Sequence, residues 1–299
     1  MSEYHVPVLL EECIMALDIQ KNGVYVDATF GGGGHSKEIL KQLGEDGSLV
    51  AFDQDEDAAK NVLEDERFHF AHSNYKYLRQ FLRLYGFRRV DGILADLGVS
   101  AHQLQIAERG FSFRFDADLD MRMNQQAEKT AIDVLNDYSA EALQQVLGQY
   151  GEVRNAKTLA ERIVIERQRT QIKTATQFLA IIGPLIRGNR NRYLAQVFQA
   201  LRIEVNDEMN ALKAFLEESQ QVLEQGGKLV VISYHSLEDR IVKNFFKTGN
   251  FEGVVKKDFY GNVLKPFRMI TRKPILPSEA EIRRNPKSRS AKLRIAERL

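Results

Sequence analysis

Short apolar runs and amphipathic segments alternate along the first hundred residues. The apolar runs predict buried strands that begin at Val24 and that cover 49–52, 68–71 and 92–96. Amphipathic spacing predicts helices between these strands, through 58–63 and around 81–84. Strands that alternate with helices usually form a parallel sheet, because each crossover helix returns the chain to the same edge. The pattern therefore predicts an α/β fold.

The pattern changes between about residue 105 and residue 205. Strand alternation is lost there, and apolar residues recur at helical spacing in 156–164, 178–182 and 194–201. A further helix is predicted as far as Leu223 and ends at the glycine pair Gly226 and Gly227. A strand at 228–233 then continues the sheet. The predicted organisation is one α/β domain in two parts, separated by an inserted all-helical domain; the three segments are 1–104, 105–205 and 206–299.

Four consecutive glycines, Gly31 to Gly34, follow the first predicted strand, and Asp53 ends the second. Glycines let a ligand approach main-chain N–H groups, and an acid at the tip of the next strand can accept both hydrogen bonds of a ribose diol. Together these features predict a site for a nucleoside cofactor, either a dinucleotide or S-adenosylmethionine. An ordinary glycine-rich turn is the alternative, and Asp53 at the expected position weighs against it.

Two residues near the glycines separate the two cofactors. The dinucleotide fingerprint Gly-x-Gly-x-x-Gly requires a third glycine where this chain has Ser36. Asp27, just before the loop, would repel a pyrophosphate but would attract a sulfonium or an α-ammonium group. The sequence therefore favours S-adenosylmethionine.

The residues that follow the strands of an open α/β sheet line one crevice at its carboxyl edge. Tyr75, after the third strand, can cover an adenine face. Asp96 ends the fourth strand, and Gln103 beyond it offers a donor and an acceptor to a purine or to the methionine end of the cofactor. For His35 a main-chain contact is expected, whereas its side chain has two open interpretations, contact with the ligand or none.

A second cluster of polar residues leaves the last predicted strand. Ser236 and Asp239 form a Ser-x-x-Asp pattern typical of a helix capping box. Capping does not account for Tyr234 and His235, which are therefore candidates for chemistry; packing at a domain junction is the alternative. A Ser-His-Asp hydrolase is disfavoured, because the chain has no Gly-x-Ser-x-Gly elbow.

Composition and charge narrow the class of protein. No apolar run approaches the ~20 residues of a membrane span, and Met1 to His5 lack the features of a signal peptide, so we expect no membrane and a cytoplasmic protein. The single cysteine, Cys13, cannot form an internal disulfide, and no cluster of metal ligands is visible, so no metal is expected. Residues 245–299 contain 14 Lys and Arg against 5 Asp and Glu. This basic stretch suggests a polyanionic partner, with a merely solvated surface as the alternative.

Nine segments, in the same order along the chain, resemble the MraW family of bacterial small-subunit ribosomal RNA cytosine-N4 methyltransferases. They are 5–10, 27–36, 52–55, 91–100, 108–113, 119–123, 198–203, 232–243 and 285–294. The most specific are Arg109-Gly110-Phe111-Ser112-Phe113 and His235-Ser236-Leu237-Glu238-Asp239-Arg240. The resemblance covers nearly the whole chain.

The resemblance implies a Rossmann-like class I methyltransferase with an inserted helical substrate domain, using S-adenosylmethionine as cofactor. It implies that the substrate is cytosine 1402 of 16S rRNA, a decoding-centre base in the region that faces the P-site codon, within the small ribosomal subunit. Cofactor contacts are implied at Gly33, Gly34, His35, Asp53, Tyr75, Asp96 and Gln103. The family often has phenylalanine at the position of Tyr234.

For catalysis we predict that Asp96 and the turn 233–235 bracket the cytosine. Tyr234 is expected to stack on the base, and His235 or a nearby carbonyl is expected to accept a hydrogen bond from the amine. The amino-methyltransferase motif of Asp, Asn or Ser followed by Pro-Pro and an aromatic residue is absent after the fourth strand. Two rival functions are a non-enzymatic assembly factor that binds rRNA and a dinucleotide-dependent oxidoreductase. The intact Asp53 and the uninterrupted glycine loop weigh against the first.

Overall fold

The computed structural model describes residues 7–299. The predictions for Met1 to His5, and the first two residues of the segment 5–10, therefore lie outside the described residues. The chain divides into two compact units. One contains the residues up to Gly98 together with Asn210–Leu299, and the other contains Val99–Met209. The predicted insertion, 105–205, lies inside the second unit. Among residues 7–299, every helix is too short or too polar to cross a membrane.

The first unit is built on a mixed sheet, which has seven strands within residues 7–299. The strands are β1 Val24–Asp27, β2 Ser48–Asp53, β3 Phe68–His72, β4 Val90–Asp96, β5 Leu223–Ser233, β6 Phe267–Met269 and β7 Lys292–Arg298. Their spatial order is β3-β2-β1-β4-β5-β7-β6. Strands β1 to β5 are parallel, whereas β7 runs antiparallel to both β5 and β6. The predicted α/β fold is confirmed.

Helices cover both faces of this sheet, and the alternation of side chains along the strands explains the two cores. Val26, Val50 and Ile93 enter one buried cluster, while their neighbours in sequence, such as Tyr25 and Leu49, enter the other. Burial on both faces is why the central strands are continuous apolar runs. The helices of this unit are α1 Leu10–Leu17, α2 Gly34–Gln42, α3 Glu56–Ala59, α4 Leu78–Leu84, α12 Ser236–Thr248 and α13 Glu279–Arg284, together with most of α11 Glu208–Val222.

The end of the chain differs from the sequence prediction. Strand β5 begins at Leu223, which pairs with Val90, and a register shift precedes the pairing of Gly92 with Lys228. Strands β6 and β7 were not predicted, because their alternating charges conceal the pattern. In β7, Leu293 and Ile295 are buried. Part of the basic stretch therefore serves the sheet.

The second unit is helical. It contains α5 Ala101–Gln105, α6 Ala131–Asp137, α7 Ala140–Gln149, α8 Ala156–Arg167, α9 Ala175–Ile182 and α10 Arg190–Asn206, which surround one apolar core. The buried Arg109 guanidinium donates to the carbonyls of Arg122 and Met123, at 2.9 and 3.1 Å. These bonds connect two of the nine family-like segments, 108–113 and 119–123, to each other. The hydrogen bonds of Arg109 thus stabilise the long loop before α6.

Candidate active site

The glycine loop joins β1 to α2 by a tight turn. The Phe30 N–H bonds to the Phe52 carbonyl of the neighbouring strand at 2.8 Å, and the Gly33 N–H bonds back to the Phe30 carbonyl at 2.7 Å. Gly33 has a φ of +72°, in the left-handed region that favours glycine. The loop is therefore fastened at both ends.

The four glycines have different surroundings. A Cβ at Gly31 or Gly32 would meet nothing within 4 Å, so the first half of the loop borders open space. A Cβ at Gly33 would lie 2.9 Å from the Phe30 ring, and one at Gly34 would collide with Pro7. Close packing against Phe30 and Pro7 thus favours glycine at Gly33 and Gly34, the two predicted contact positions. A ligand can contact these two residues through their main chain.

The Asp27 carboxylate accepts hydrogen bonds from its own loop and from the start of α2. One carboxylate oxygen accepts the Thr29 N–H at 3.1 Å, and the other accepts the Ser36 hydroxyl at 2.7 Å. Burial raises the pKa of Asp27, although these hydrogen bonds oppose the shift. Ser36, at the position where a dinucleotide fold has its third glycine, therefore attaches α2 to the end of β1.

Asp53 lies at the carboxyl end of β2 and connects two loops. Its carboxylate accepts the Gly31 N–H at 2.8 Å and the Asp55 N–H at 2.9 Å. Burial raises its pKa to about 6, while these two N–H groups act in the opposite direction. Each carboxylate oxygen retains a further lone pair, so both can still accept a hydroxyl.

His35 and Tyr75 contact the protein through their side chains. The buried His35 ring approaches the Val8 carbonyl through Nε2, at 3.2 Å, and burial lowers its pKa, while the charge of Asp96 opposes this shift. The Tyr75 ring meets the Phe215 ring edge-on, with 5.1 Å between centroids. Beside Tyr75, the Asn74 amide donates to Gln54 at 2.8 Å, which joins the loops after β2 and β3.

Asp96 ends β4 and is held from two sides. Its main-chain N–H donates to the Thr29 hydroxyl at 2.7 Å, and its Oδ1 accepts the Tyr234 hydroxyl at 2.7 Å. Burial raises the pKa of Asp96 to about 6, against the lowering effects of His35 and of the Tyr234 hydrogen bond. Burial and Asp96 raise the pKa of Tyr234 well above its ordinary value, so its hydroxyl keeps its proton. Asp96 and Tyr234 thus form one hydrogen-bonded pair.

The turn after β5 corrects the predicted helix cap. The N-cap of α12 is His235, whose Nδ1 accepts the Glu238 N–H at 3.5 Å, rather than Ser236. Glu238 completes the capping box, since its Oε2 accepts the His235 N–H at 3.4 Å, and the same oxygen also accepts the Tyr234 N–H at 2.9 Å. Asp239, which the sequence pattern assigns to the cap, instead binds the buried Arg294 of β7 at 2.7 Å.

Both ring nitrogens of His235 lie near Glu238, because Nε2 is also 3.1 Å from Glu238 Oε1. Glu238, only 2% exposed, belongs to the predicted cluster, but its role in the helix cap was not predicted. The spacing His-x-x-Glu before an apolar helix face could have indicated it. Thr29 was missed as well, since nothing local distinguishes it.

Gln103 belongs to the second unit. It is buried in α5, where its side-chain Oε1 accepts the Ser100 N–H at 3.0 Å. Its main-chain N–H donates to the Ser100 hydroxyl at 3.1 Å. This reciprocal pair caps the short helix.

Comparison with known proteins matches residues 2–299 to a family described as the MraW methylase family. The chain belongs to the MraW methylase family. A relative from Parabacteroides distasonis, named ribosomal RNA small subunit methyltransferase H, is 57% identical over 99% of this chain and 98% of its own. A protein of the same name from Bacteroides thetaiotaomicron is 56% identical over 99% of this chain and 97% of its own.

The observed fold is α/β, as the resemblance to this family predicts. Among solved structures, an rRNA methylase from Streptococcus thermophilus is similar with a TM-score of 0.43 and 11% identity, over 97% of this chain and 93% of that one. The family resemblance inferred from the nine segments is confirmed.

Proposed function

We propose that this chain is an S-adenosylmethionine-dependent methyltransferase that modifies N4 of cytosine 1402 in 16S rRNA, within the small ribosomal subunit. Membership of a methylase family supports methyl transfer, and the name shared by the two bacterial relatives supports an rRNA substrate. The observation that carries the proposal is the 2.7 Å hydrogen bond between Tyr234 and Asp96 at the carboxyl end of β4. It orients a carboxylate that is linked to the glycine loop through Thr29.

The residues around the glycine loop suit this cofactor. Gly31 and Gly32 border open space, and the carboxylate of Asp53 can accept ribose hydroxyls on its remaining lone pairs. The main-chain N–H groups at Gly33, Gly34 and His35 are proposed to contact the cofactor, with Tyr75 against the adenine. Gln103 is a further proposed cofactor contact, carried over from the family resemblance.

The exocyclic amine of cytosine is a weak nucleophile, because its lone pair is delocalised into the ring. When bound, S-adenosylmethionine would supply the methyl group from its sulfonium and leave as S-adenosylhomocysteine, and the amine would lose one proton. Asp96, an anion above its pKa of about 6, is proposed to accept a hydrogen bond from the amine and then to receive that proton. A fixed acceptor of this kind stabilises positive charge as it develops on nitrogen.

Tyr234 and His235 are proposed to support this step in different ways. The Tyr234 hydroxyl fixes the direction of the Asp96 carboxylate, and its ring remains the candidate surface for stacking on the base. His235 caps α12 together with Glu238, which in turn holds the main chain of Tyr234. We therefore assign the amine hydrogen bond first to Asp96 and keep His235 as the second candidate acceptor.

The test is methyl transfer to small subunits isolated from a strain that lacks this protein. Methyl-labelled S-adenosylmethionine is added with the intact chain, and the labelled nucleoside is identified and positioned by mass spectrometry. We expect N4-methylcytidine at position 1402 alone. Label on carbon 5 of cytosine, or at another position, would overturn the proposed specificity, and the absence of label would overturn the proposed activity.

A further inference from the structure

A hairpin near the end of the first unit presents aromatic side chains to solvent. It covers residues 256–264, in which the Leu264 N–H bonds to the Lys256 carbonyl and the Asp258 N–H bonds to the Asn262 carbonyl, both at 2.9 Å. At its tip, the side chains of Phe259 and Tyr260 are 97% and 86% exposed. Such exposure of two adjacent aromatic residues is unfavourable in water unless a partner covers them.

The tip is ordered by its own hydrogen bonds. The Asp258 carboxylate accepts the N–H groups of Tyr260 and Asn262, at 2.9 and 2.8 Å, and the Asn262 side-chain amide at 3.0 Å. These bonds lower the pKa of Asp258. Gly261 has a φ of +86°, which completes the turn. The two aromatic rings are therefore displayed on a formed loop, and little conformational entropy is lost when they bind.

The base of the hairpin is attached to α12. The Phe251 ring stacks on Phe245, with 5.2 Å between centroids, and the Asn244 amide donates to the Phe251 carbonyl at 2.8 Å. The Asn250 side chain then bonds to both main-chain groups of Val254. The hairpin thus projects from the core of the unit by a fixed connection.

The charged side chains around the tip indicate which kind of partner it can bind. Lys256, Lys257 and Lys265 are exposed, and none of them forms an ion pair with any carboxylate in the part of the chain that the structure describes. The negative charge of Asp258 is engaged by the turn. Exposed aromatic rings flanked by unpaired lysines suit a partner with stackable bases and phosphates.

We propose that the hairpin 256–264 is an RNA-binding element that stacks an unpaired base of the substrate on Phe259 or Tyr260 and contacts the adjoining phosphates through Lys256 and Lys257. This inference rests on the proposed function, since it assigns part of the rRNA contact to the hairpin. It adds a binding surface outside the strand ends that hold Asp53 and Asp96.

The test compares the intact chain with the double variant Phe259→Ala, Tyr260→Ala. With small subunits as substrate, we expect KM for the subunit to rise roughly tenfold or more, the loss of one base–aromatic stack, with unchanged affinity for S-adenosylmethionine. The exchange Phe259→Tyr, Tyr260→Phe should restore KM, because both rings remain. Leu84→Ala, at a position that is 72% exposed, is the control for an exposed apolar side chain and should behave as the intact chain does.

The lysines are tested with an unpaired oligouridine of about sixteen nucleotides, the upper range of a single-strand site. Lys256→Gln with Lys257→Gln should lower the slope of log affinity against log salt by roughly 1.4, since each phosphate contact on a single strand contributes about 0.7. Lys21→Gln, at another exposed lysine, should leave the slope unchanged.

The outcomes separate the two proposals. An intact chain that transfers no methyl group to small subunits overturns the proposed function and the hairpin inference together. An active enzyme whose aromatic double variant keeps its KM overturns the hairpin inference alone. The hairpin inference is also overturned if the variant loses binding to phosphatidylserine vesicles, or loses self-association, while its RNA binding is unchanged.

Discussion

Three aspartates end adjacent strands of the sheet, and their surroundings give them different capacities. Asp27, only 1% exposed, accepts one hydrogen bond on each carboxylate oxygen. Asp53 also accepts one hydrogen bond on each oxygen, but it is only half-buried, so a ligand can reach its remaining lone pairs. Asp96 is bound by one hydroxyl, from Tyr234. The sequence singled out each of the three for a separate reason, but their division into a structural carboxylate and two candidate functional ones depends on their burial and their partners.

The proposed ribose contact can be tested at Asp53. We expect Asp53→Ala to weaken S-adenosylmethionine binding by roughly 2 to 4 kcal/mol, the scale of losing charge-assisted hydrogen bonds. Titration calorimetry on protein shown to be folded by thermal melting measures this change. Asp46→Ala, at an exposed position, is the control. Equal affinity in a folded Asp53 variant would remove the residue from the cofactor site, and tighter binding of a dinucleotide than of S-adenosylmethionine would remove the cofactor itself.

We expect ionised Asp96 to lower the stability of the folded protein while it supports catalysis. A carboxyl group whose folded pKa is raised to about 6 binds its proton more tightly when folded, so stability declines as pH rises from about 4 to about 6. Asp96→Asn should therefore unfold in urea with a free energy up to about 3 kcal/mol higher at pH 7.5, and this gain should vanish near pH 4. The same variant should lose most of its kcat.

The activity of the intact enzyme should fall as pH decreases through about 6, because protonated Asp96 cannot accept the amine proton. Tyr234→Phe is the matched variant, since it removes only the hydroxyl that lowers the pKa of Asp96. We expect it to remain active at pH 8 and to lose activity at a higher pH than the intact enzyme does. A pH profile unaltered by this substitution would contradict the proposed coupling of the two residues.

At the scale of elements, residues 234–238 lie at the end of β5 and also form the N-terminal cap of α12. His235 and Glu238 satisfy three main-chain N–H groups, those of Tyr234, His235 and Glu238. A helix cap and a candidate catalytic residue are thus adjacent. Loss of activity on mutation here has two physical explanations, a weakened helix and a missing acceptor.

Substitution at the cap separates these explanations. Glu238→Ala leaves buried N–H groups without acceptors and should lower the free energy of unfolding by about 1 to 2 kcal/mol. His235→Asn replaces one capping side chain by another that caps well, so it should unfold as the intact chain does. Single-turnover methylation then decides the role of the imidazole: a reduced rate in His235→Asn supports a second acceptor, and a normal rate restricts His235 to capping.

At the scale of the whole molecule, the sheet, its two flanking cores and most proposed cofactor contacts belong to the first unit, whereas Gln103 and the long helices belong to the second. In the second unit, Arg187, Arg190 and Arg192 are exposed around the start of α10. We propose that this unit supplies a further rRNA-binding surface.

Excision tests this division of labour. Replacing residues 99–209 by a flexible linker of about ten residues removes only Gln103 from the proposed cofactor contacts. We expect binding of S-adenosylmethionine to weaken to the level of Gln103→Ala in the intact chain, and methylation of small subunits to be abolished. Full methylation by the shortened protein would show that the first unit alone recognises the RNA.

The sequence by itself determined the features that depend on neighbouring residues. Buried parallel strands are continuous apolar runs, and a glycine loop followed by Asp53 and Asp96 on later strands implies one shared edge, because parallel strands end on the same side. Tertiary structure alone decided the hydrogen bond from Tyr234 to Asp96, 138 residues apart, the N-cap at His235, and the insertion of β7 between β5 and β6. These depend on strand register and side-chain direction, and contacts between distant segments are not encoded by the local alternation of apolar and polar residues.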